Sequence, residues 1–528
     1  MSVFQSDIAE NYADYLQDES RQTGQASSLS FPVTEEEVRA HVLEAARRGL
    51  TLTVQGGRTG ITAGAVPDGG HILNLSRMNR LRAIHRDDSG WRLTAEAGVL
   101  LTDVRQALAV RRMDTADDPD DTQRTLASAP PLFLVTDPTE TSASLGGMAA
   151  CNASGARSYQ YGAMRRYVER LRVVLDDGDV LELRRGREKA QGRLFELTTP
   201  GGRIIRGKLP GYTMPHVKNA AGYFAADNMD LIDLFIGSEG TLGIITEMDV
   251  RLLPLPPVMW GLTAFFPDEP AALSFVGAMR HAAMAPAALE FFDHTVLNLL
   301  RQRKAELGAG SPLPALNPAW HTAVYVEFLA DRDEDVEAAV NAATDAIIAC
   351  SGDPEQAWLA CDAQELEKQK QFRHAVPESV NQIIAERKKT HPGLTKLGTD
   401  LAVPDPLLND VVALYRHDIE QAGLEAVMFG HIGNNHLHVN ILPRSPEEYR
   451  RGKALYLEWA GWVADHGGSV SAEHGIGKLK RDMLLRMYGE SGVAQMRALK
   501  RLFDPTGRLS PGNLFTTNGQ PTTGEMIK

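Results

Sequence analysis

The chain has 528 residues, too many for one hydrophobic core, so two or three domains are expected. Its 43% hydrophobic and 23% charged residues fit an ordinary globular protein, and a net charge of −13 argues against a nucleic-acid partner, whose binding depends on neutralising phosphates. The three cysteines, Cys151, Cys350 and Cys361, are scattered and lack metal-ligand spacing, which points to a reducing compartment and no cluster-binding module.

In chain order, residues 1–30 read as a polar, partly helical lead-in, too acidic and interrupted for a signal peptide. Residues 31–50 predict a helix: Thr34 is placed to cap it, Glu35, Glu36 and Glu37 fill its first turn, and Arg47-Arg48-Gly49 end it. A short β-forming run (Leu52, Thr53, Val54) then enters a loop, TVQGGRTGITAGAVP, with Gly56, Gly57, Gly60 and Gly64. Glycines spaced this way let successive backbone N–H groups turn toward one point and bind an anion. Neither the dinucleotide fingerprint nor a P-loop is present, and the competing reading is a plain glycine-rich connection between strands. A strand follows at residues 72–75, and residues 91–108 read as strand, glycine turn and helix. The acidic, Pro-broken residues 114–123 predict an exposed loop.

A second block of small residues, DPTETSASLGGMAACNASGARSYQYG, covers 137–162, and a hairpin turning on Asp176-Asp177-Gly178 covers 167–183. A third glycine-rich block at 234–254 predicts strand, turn, strand. Three such loops between short strands suggest one elongated ligand lying across a single domain. After Pro254-Leu255-Pro256-Pro257 the character changes, marking a boundary. Residues 260–282, 287–300 and 322–350 each read strand then helix, which predicts an antiparallel sheet with helices on one face.

Chemistry in the second half gathers in two stretches. In FGHIGNNHLHVNILP a strand from His436 puts His436, His438 and Asn440 on one face, and a bend at Gly433 brings His431 toward His438. In GGSVSAEHGIGKLKRDML, Glu473 and His474 precede a Gly475-x-Gly477 turn expected to open a helix. Three histidines and a glutamate suit a divalent ion of the zinc, manganese or iron kind, although a histidine on a strand is more often structural. No run reaches the ~18 apolar residues of a membrane-spanning helix, so a cytoplasmic protein, at most peripheral to a membrane, is expected.

The three glycine blocks resemble the flavin-binding domain of the vanillyl-alcohol oxidase / p-cresol methylhydroxylase (PCMH) superfamily. The nearest resemblance is to its D-lactate and D-2-hydroxyglutarate dehydrogenase branch, which carries an FAD-linked-oxidase C-terminal domain. It covers roughly residues 30–515 through several motifs. The implied fold is α+β: a two-subdomain PCMH-type FAD-binding domain over 31–256, an α+β substrate domain with an antiparallel sheet over 257–510, and a return segment and polar tail over 511–528. The resemblance implies that Gly56, Gly57, Arg58, Thr59, Gly60 and Ile61 wrap the FAD pyrophosphate. Pro138, Thr139, Ser144, Gly146, Gly147, Asn152 and Gly155, with Gly240, Gly243 and Ile245, line the flavin and the rest of the dinucleotide. Some relatives tether the flavin through a histidine in the first loop; none lies between Thr51 and Gly70, so non-covalent FAD is expected.

It further implies that His431, His438 and Glu473 hold a divalent metal, zinc first with manganese or iron as alternatives, and that His474 is the catalytic base. Arg373, aided by Asn440, clamps the substrate carboxylate. His374, beside it on a helix, is expected to point elsewhere. Two departures stand out. Asn434 replaces the family's aspartate between the histidines, and His436 replaces an amide, adding a possible ligand. Hydroxyglutarate-type members carry a lysine two residues before Asp400, where this chain has Gly398. A cation for a distal carboxylate is therefore missing or differently supplied, which argues for a substrate other than a dicarboxylate.

The implied activity is oxidation of a D-lactate-like D-2-hydroxy acid to the 2-oxo acid, by metal-assisted hydride transfer to flavin N5. Electrons then pass to a separate quinone, cytochrome, electron-transfer flavoprotein or dioxygen. The alternatives are a metal-free flavin oxidase or lactone dehydrogenase of the same superfamily, a non-redox alkyl-glycerone-phosphate-synthase-like transferase, and a non-catalytic flavin- or zinc-binding module.

Overall fold

A computed structural model describes residues 4–88, 90–114, 117, 119–311 and 313–516. The first half carries two sheets. Ser28–Ser30, His71–Asn74 and Leu52–Gln55 form a small parallel sheet, with His71–Asn74 in the middle. The helix Glu35–Arg47 feeds into it. Thr34 caps this helix by accepting from the Glu37 N–H at 3.3 Å, while Glu37 reaches back to the Val33 N–H at 2.9 Å, a reciprocal closure of the first turn.

The second sheet is antiparallel, in the order Leu81–Asp87, Gly90–Glu96, Ile244–Pro254, Val168–Val174 and Val180–Arg184, with Leu132–Phe133 pairing the end of Ile244–Pro254. The hairpin expected at 167–183 closes through Gly178, whose φ of +76° suits a glycine in the turn.

Two local expectations are corrected. The acidic stretch is in part a helix, Pro119–Ser128. Proline suits the first helical position, Asp120 and Asp121 lie at the helix N-terminus, and buried Thr122 and Leu126 tie the helix down. Thr122 Oγ1 accepts from the Ile84 N–H at 3.2 Å. Residues 115, 116 and 118 lie outside the described residues. The third block opens with one helical turn, Ile232–Phe235, rather than a strand. The Arg165 guanidinium donates to the Asp233 and Ile236 carbonyls and so satisfies the end of that turn.

The second half is built on an eight-stranded antiparallel sheet. Its order is Trp358–Ala360, Val258–Phe266, Thr322–Ala330, Ala288–Phe292, Ala426–Gly430, His436–Ile441 and Leu397–Gly398, and Leu401–Ala402 also pairs with His436–Ile441. Helices cover both faces of it, not one. Glu269–Arg280 and Asp333–Ala349 pack against Ala264, Val324 and Val326. His294–Leu307 and Ala363–Thr390 pack on the alternate residues Phe265, Ala323 and Tyr325. The strand Thr322–Ala330 is buried at every position, as a strand between two layers must be.

The chain returns to the first half well before residue 511. Lys478 N–H donates to Thr62 O, Lys500 Nζ donates to Thr241 O, and Leu509 pairs with Leu52. The helix expected directly after Gly477 begins only at Arg481, because residues 475–480 form the crossing turn. The polar tail from residue 517 lies outside the described residues. No helix among the described residues is long and apolar enough to cross a membrane.

Candidate active site

Between the two halves lies a cavity of about 1580 Å³, larger than the usual 300–1,000 Å³ ligand pocket and so roomy enough for a dinucleotide-sized group together with a small substrate. One wall consists of the glycine loops, and all the expected cofactor residues except Asn152 border it. Asn152 is instead a buried tie, with its amide donating to Asn219 O and its Oδ1 accepting from the Arg165 N–H. Arg58 borders the cavity, but its guanidinium donates to Asp14 O and lies over the Tyr15 ring.

Most of these glycines exist for close loop-to-loop approach. A Cβ on Gly56 would lie 2.1 Å from Ser144 Oγ, one on Gly146 2.5 Å from Ala97 Cβ, and one on Gly155 2.0 Å from Asp137 O. Gly60 differs, since a Cβ there meets nothing within 4 Å. Among the described residues, the N–H groups of Arg58, Thr59, Gly60 and Ile61 have no protein acceptor and all four residues border the cavity, the donor set that a pyrophosphate requires. This wall therefore fits FAD.

The opposite wall comes from the second half. A turn through Asn435, with φ of +50°, folds His431 back onto the strand His436–Ile441, leaving the His431 and His438 rings 5.4 Å apart. His431 Nε2 lies 3.3 Å from one Glu473 oxygen and His438 Nε2 3.2 Å from the other. Each imidazole is fixed from behind: His431 Nδ1 sits 2.7 Å from Glu290 Oε1, and His438 Nδ1 sits 3.1 Å from Thr399 O. Outer hydrogen bonds of this kind turn both Nε2 atoms inward, as metal-binding histidines require. Burial alone would lower the His431 pKa, but Glu290 and Glu473 outweigh it and lift it to about 9. The carboxylates thus already favour a positive charge at this point. The donor set fits a divalent ion held by His431, His438 and Glu473.

His436 has a nitrogen within reach of the same cluster but is wholly buried and does not border the cavity. Burial and neighbouring His438 hold its pKa well below the usual value, so it is neutral. Its Nε2 is 2.9 Å from Asp400 Oδ1 without the alignment of a hydrogen bond.

Asp400 organises the rest of the site, and sequence reasoning assigned it no role. Its carboxylate accepts from the Glu473 and His474 N–H groups at 3.2 and 3.1 Å, from Ser471 Oγ at 2.8 Å and from Lys480 Nζ at 2.5 Å. His474 Nδ1 lies 3.3 Å from the same carboxylate, and His474, partly exposed, borders the cavity. Burial opposes the charged form of Asp400, yet Lys480 and His474 hold its pKa well below the ordinary carboxylate range. The turn after His474 is anchored from the other domain: both Glu239 oxygens accept at 2.7 Å, from the Ile476 and Gly477 N–H groups, and Thr62 Oγ1 donates to His474 O at 3.3 Å. Burial nonetheless pushes Glu239 up to about 7.

Arg373 stands on the helix Ala363–Thr390, facing the cavity, with its guanidinium 4.6 Å above the Tyr325 ring. Pro377, four residues on, has no N–H to offer the Arg373 carbonyl. His374, expected to point elsewhere, also borders the cavity, as does Asn440. Two buried groups escaped sequence reasoning as well. Glu290 is a lone acid in the apolar strand Ala288–Phe292, a pattern that flags a buried polar contact. Lys218, which donates to Glu473 Oε2 at 2.8 Å, carries no local signal.

The chain matches the family model described as FAD binding domain over residues 26–184 and that of FAD linked oxidases, C-terminal domain, over 255–514. It is 28% identical over 513 residues to a D-2-hydroxyglutarate dehydrogenase of Xanthomonas citri, covering 95% of this chain and 92% of that protein. To a D-lactate dehydrogenase of Archaeoglobus fulgidus it is 28% identical over 491 residues, covering 92% and 90%. Among solved structures, p-cresol methylhydroxylase superposes with a TM-score of 0.67 at 16% identity, covering 98% of this chain and 95% of that one. An alkyldihydroxyacetonephosphate synthase gives 0.61 at 16% identity, covering 93% and 76%. These structural likenesses concern the fold.

Proposed function

The chain belongs to the FAD-dependent oxidoreductases that join an FAD binding domain to an FAD-linked-oxidase C-terminal domain, and on that premise we propose that it oxidises a D-2-hydroxy acid to the 2-oxo acid. One observation carries this reading: His474, backed by Asp400 through Nδ1, opens onto the same cavity as the His431–His438–Glu473 cluster, opposite the glycine wall. The names of the relatives, which act on 2-hydroxyglutarate and lactate, support the substrate class.

Arg373 presents two parallel N–H donors to the substrate carboxylate, and Asn440 adds an amide beside it. His474 takes the hydroxyl proton, and Asp400 keeps the imidazole in the tautomer able to accept it. Glu290 and Thr399 hold His431 and His438 in the orientation of metal ligands. FAD, cradled by residues 56–61, 138–147 and 240–245, and a divalent ion at His431, His438 and Glu473, zinc before manganese or iron, would supply the hydride acceptor and the charge that acidifies the hydroxyl. The FAD is non-covalent in this reading, and its electrons leave to a separate acceptor.

The test is anaerobic stopped-flow. A D-2-hydroxy acid should bleach the flavin and its L-enantiomer should not. His474→Gln should retain FAD and slow bleaching by about 10²–10⁴-fold. Bleaching at the unaltered rate in that variant would remove His474 from the chemistry. A metal-free reading is favoured by one observation, the Lys218 ammonium on Glu473, which supplies a positive charge to the cluster from the protein itself. Metal analysis of purified protein, with turnover measured before and after chelation, separates the two.

A further inference from the structure

The cavity contains a cation that the mechanism leaves unused. Lys396 directly precedes the short strand Leu397–Gly398, which pairs with His436–Ile441 so that Gly398 lies opposite Asn440 and Leu397 opposite Ile441. Residues directly opposite in an antiparallel pair share a face, and alternate residues repeat it about every 7 Å. His438, Asn440 and Lys396 thus follow one another along the cavity side of the sheet, with Lys396 one step beyond Asn440 on the side away from the metal-type cluster. All three border the cavity.

The other buried lysines near the site all have partners: Lys218 on Glu473 at 2.8 Å, Lys480 on Asp400 at 2.5 Å, Lys500 on Asp504 at 2.7 Å and Lys478 on Asn513 Oδ1 at 2.8 Å. Among the described residues Lys396 has none, and burial lowers its pKa with no carboxylate offsetting the effect. A half-buried ammonium without a counter-charge is costly unless something else supplies the charge. Further donors border the same cavity. Tyr449 and Lys453, one helical turn apart on Pro446–Asp465, border the same end of the cavity, and Thr395 Oγ1 lies 3.4 Å from the Tyr449 hydroxyl. Gly398 keeps the path open: a Cβ there would lie 2.9 Å from Asn440 Oδ1.

We propose that Lys396 receives a second anionic group at the far end of the substrate, so that the protein acts on 2-hydroxy acids carrying two negative charges rather than on short monocarboxylates. The inference rests on the reading above for the near end, where Arg373 holds the substrate's own carboxylate. It reverses the expectation drawn from Gly398, because the missing cation is supplied from two residues earlier in the chain.

The test pairs acids of equal chain length on the holoenzyme: D-malate with D-2-hydroxybutyrate, D-2-hydroxyglutarate with D-2-hydroxyvalerate, and D-2-hydroxyadipate with D-2-hydroxyhexanoate. At one length at least, the diacid should be favoured in kcat/KM by tenfold or more. Lys396→Met should cut that ratio at least tenfold, mainly through KM, and Lys396→Arg should restore part of it. A ratio near one at every length, or one that Lys396→Met leaves unmoved, overturns the proposal. If no 2-hydroxy acid reduces the flavin, the near-end reading has failed. The far end is then decided by calorimetry of 2-oxoglutarate against 2-oxovalerate: discrimination lost in Lys396→Met supports the anchor, and equal binding overturns it.

Discussion

The two walls of the cavity are made in different ways. The wall from the first half is backbone: loops brought together by glycines, with N–H groups as the functional atoms. The wall from the second half is side chain: imidazoles, carboxylates, a guanidinium and ammonium groups, most of them fixed by a partner from another segment. The walls should therefore fail differently. Damage to the backbone wall should release cofactor. Damage to the side-chain wall should stop turnover in protein that keeps its flavin.

The largest expected effect lies on the side-chain wall, at Asp400→Asn. Removing one partner of the buried Asp400–Lys480 pair should cost about 3–5 kcal/mol of stability. It also deprives His474 of its orienting carboxylate, so flavin reduction should fall by about 10²–10⁴-fold with FAD still bound. The pH dependence has a definite sign. The Asp400 carboxyl sits well below 3.8 in the fold, so its contribution is complete above that unfolded value and disappears as pH falls through the depressed one. The stability gap between variant and parent, read from denaturant melts, should be widest near neutrality and narrow on acidification. Loss of FAD with reduction chemistry intact would break the division between the walls.

Next in size is Gly155→Ala on the backbone wall. The added Cβ would sit 2.0 Å from Asp137 O and 2.6 Å from its carbonyl carbon, and backbone cannot step aside as a flexible side chain can. Overpacking of this kind costs about 1–3 kcal/mol. The loop must shift, so the purified protein should carry less FAD per chain, while reduction per bound flavin should change far less than in Asp400→Asn. The absorbance ratio of flavin to protein checks the first, and stopped-flow on the flavin-loaded fraction checks the second.

The contrast between walls also explains what the sequence could reveal. Glycine blocks are legible because the constraint they obey is local, and so are the capped helix Glu35–Arg47 and the Asp-Gly hairpin at 168–184. The histidines and Glu473 are legible as motif residues at short spacing. Their partners are not, because Glu290, Lys218 and Asp400 come from segments 73 to 255 residues away and meet the cluster only through tertiary pairing. The helix Pro119–Ser128 was hidden because a run of acids and a proline reads equally as a loop and as a helix N-terminus. The doubly covered sheet was legible in principle, since Thr322–Ala330 is apolar on both alternations apart from Thr322 and Glu327.

The smallest expected effect sharpens the comparison most, because it separates the two uses of glycine within one loop. Gly57 and Gly155, whose added Cβ would lie 2.6 Å from Ser142 O and 2.0 Å from Asp137 O, admit no side chain even in the protein by itself, whereas a Cβ on Gly60 meets nothing within 4 Å and its φ is not positive. Gly60→Ala should therefore leave the apoprotein as stable as before, or more so by about 0.4–1 kcal/mol through the unfolded chain. Any penalty must then come from the ligand. If Gly60 is glycine because the pyrophosphate lies against it, FAD should bind the variant more weakly while the thermal midpoint of the apoprotein stays level or rises. Equal FAD affinity in parent and variant would instead place the cofactor against the other N–H groups of residues 58–61 and leave Gly60 as a spacer.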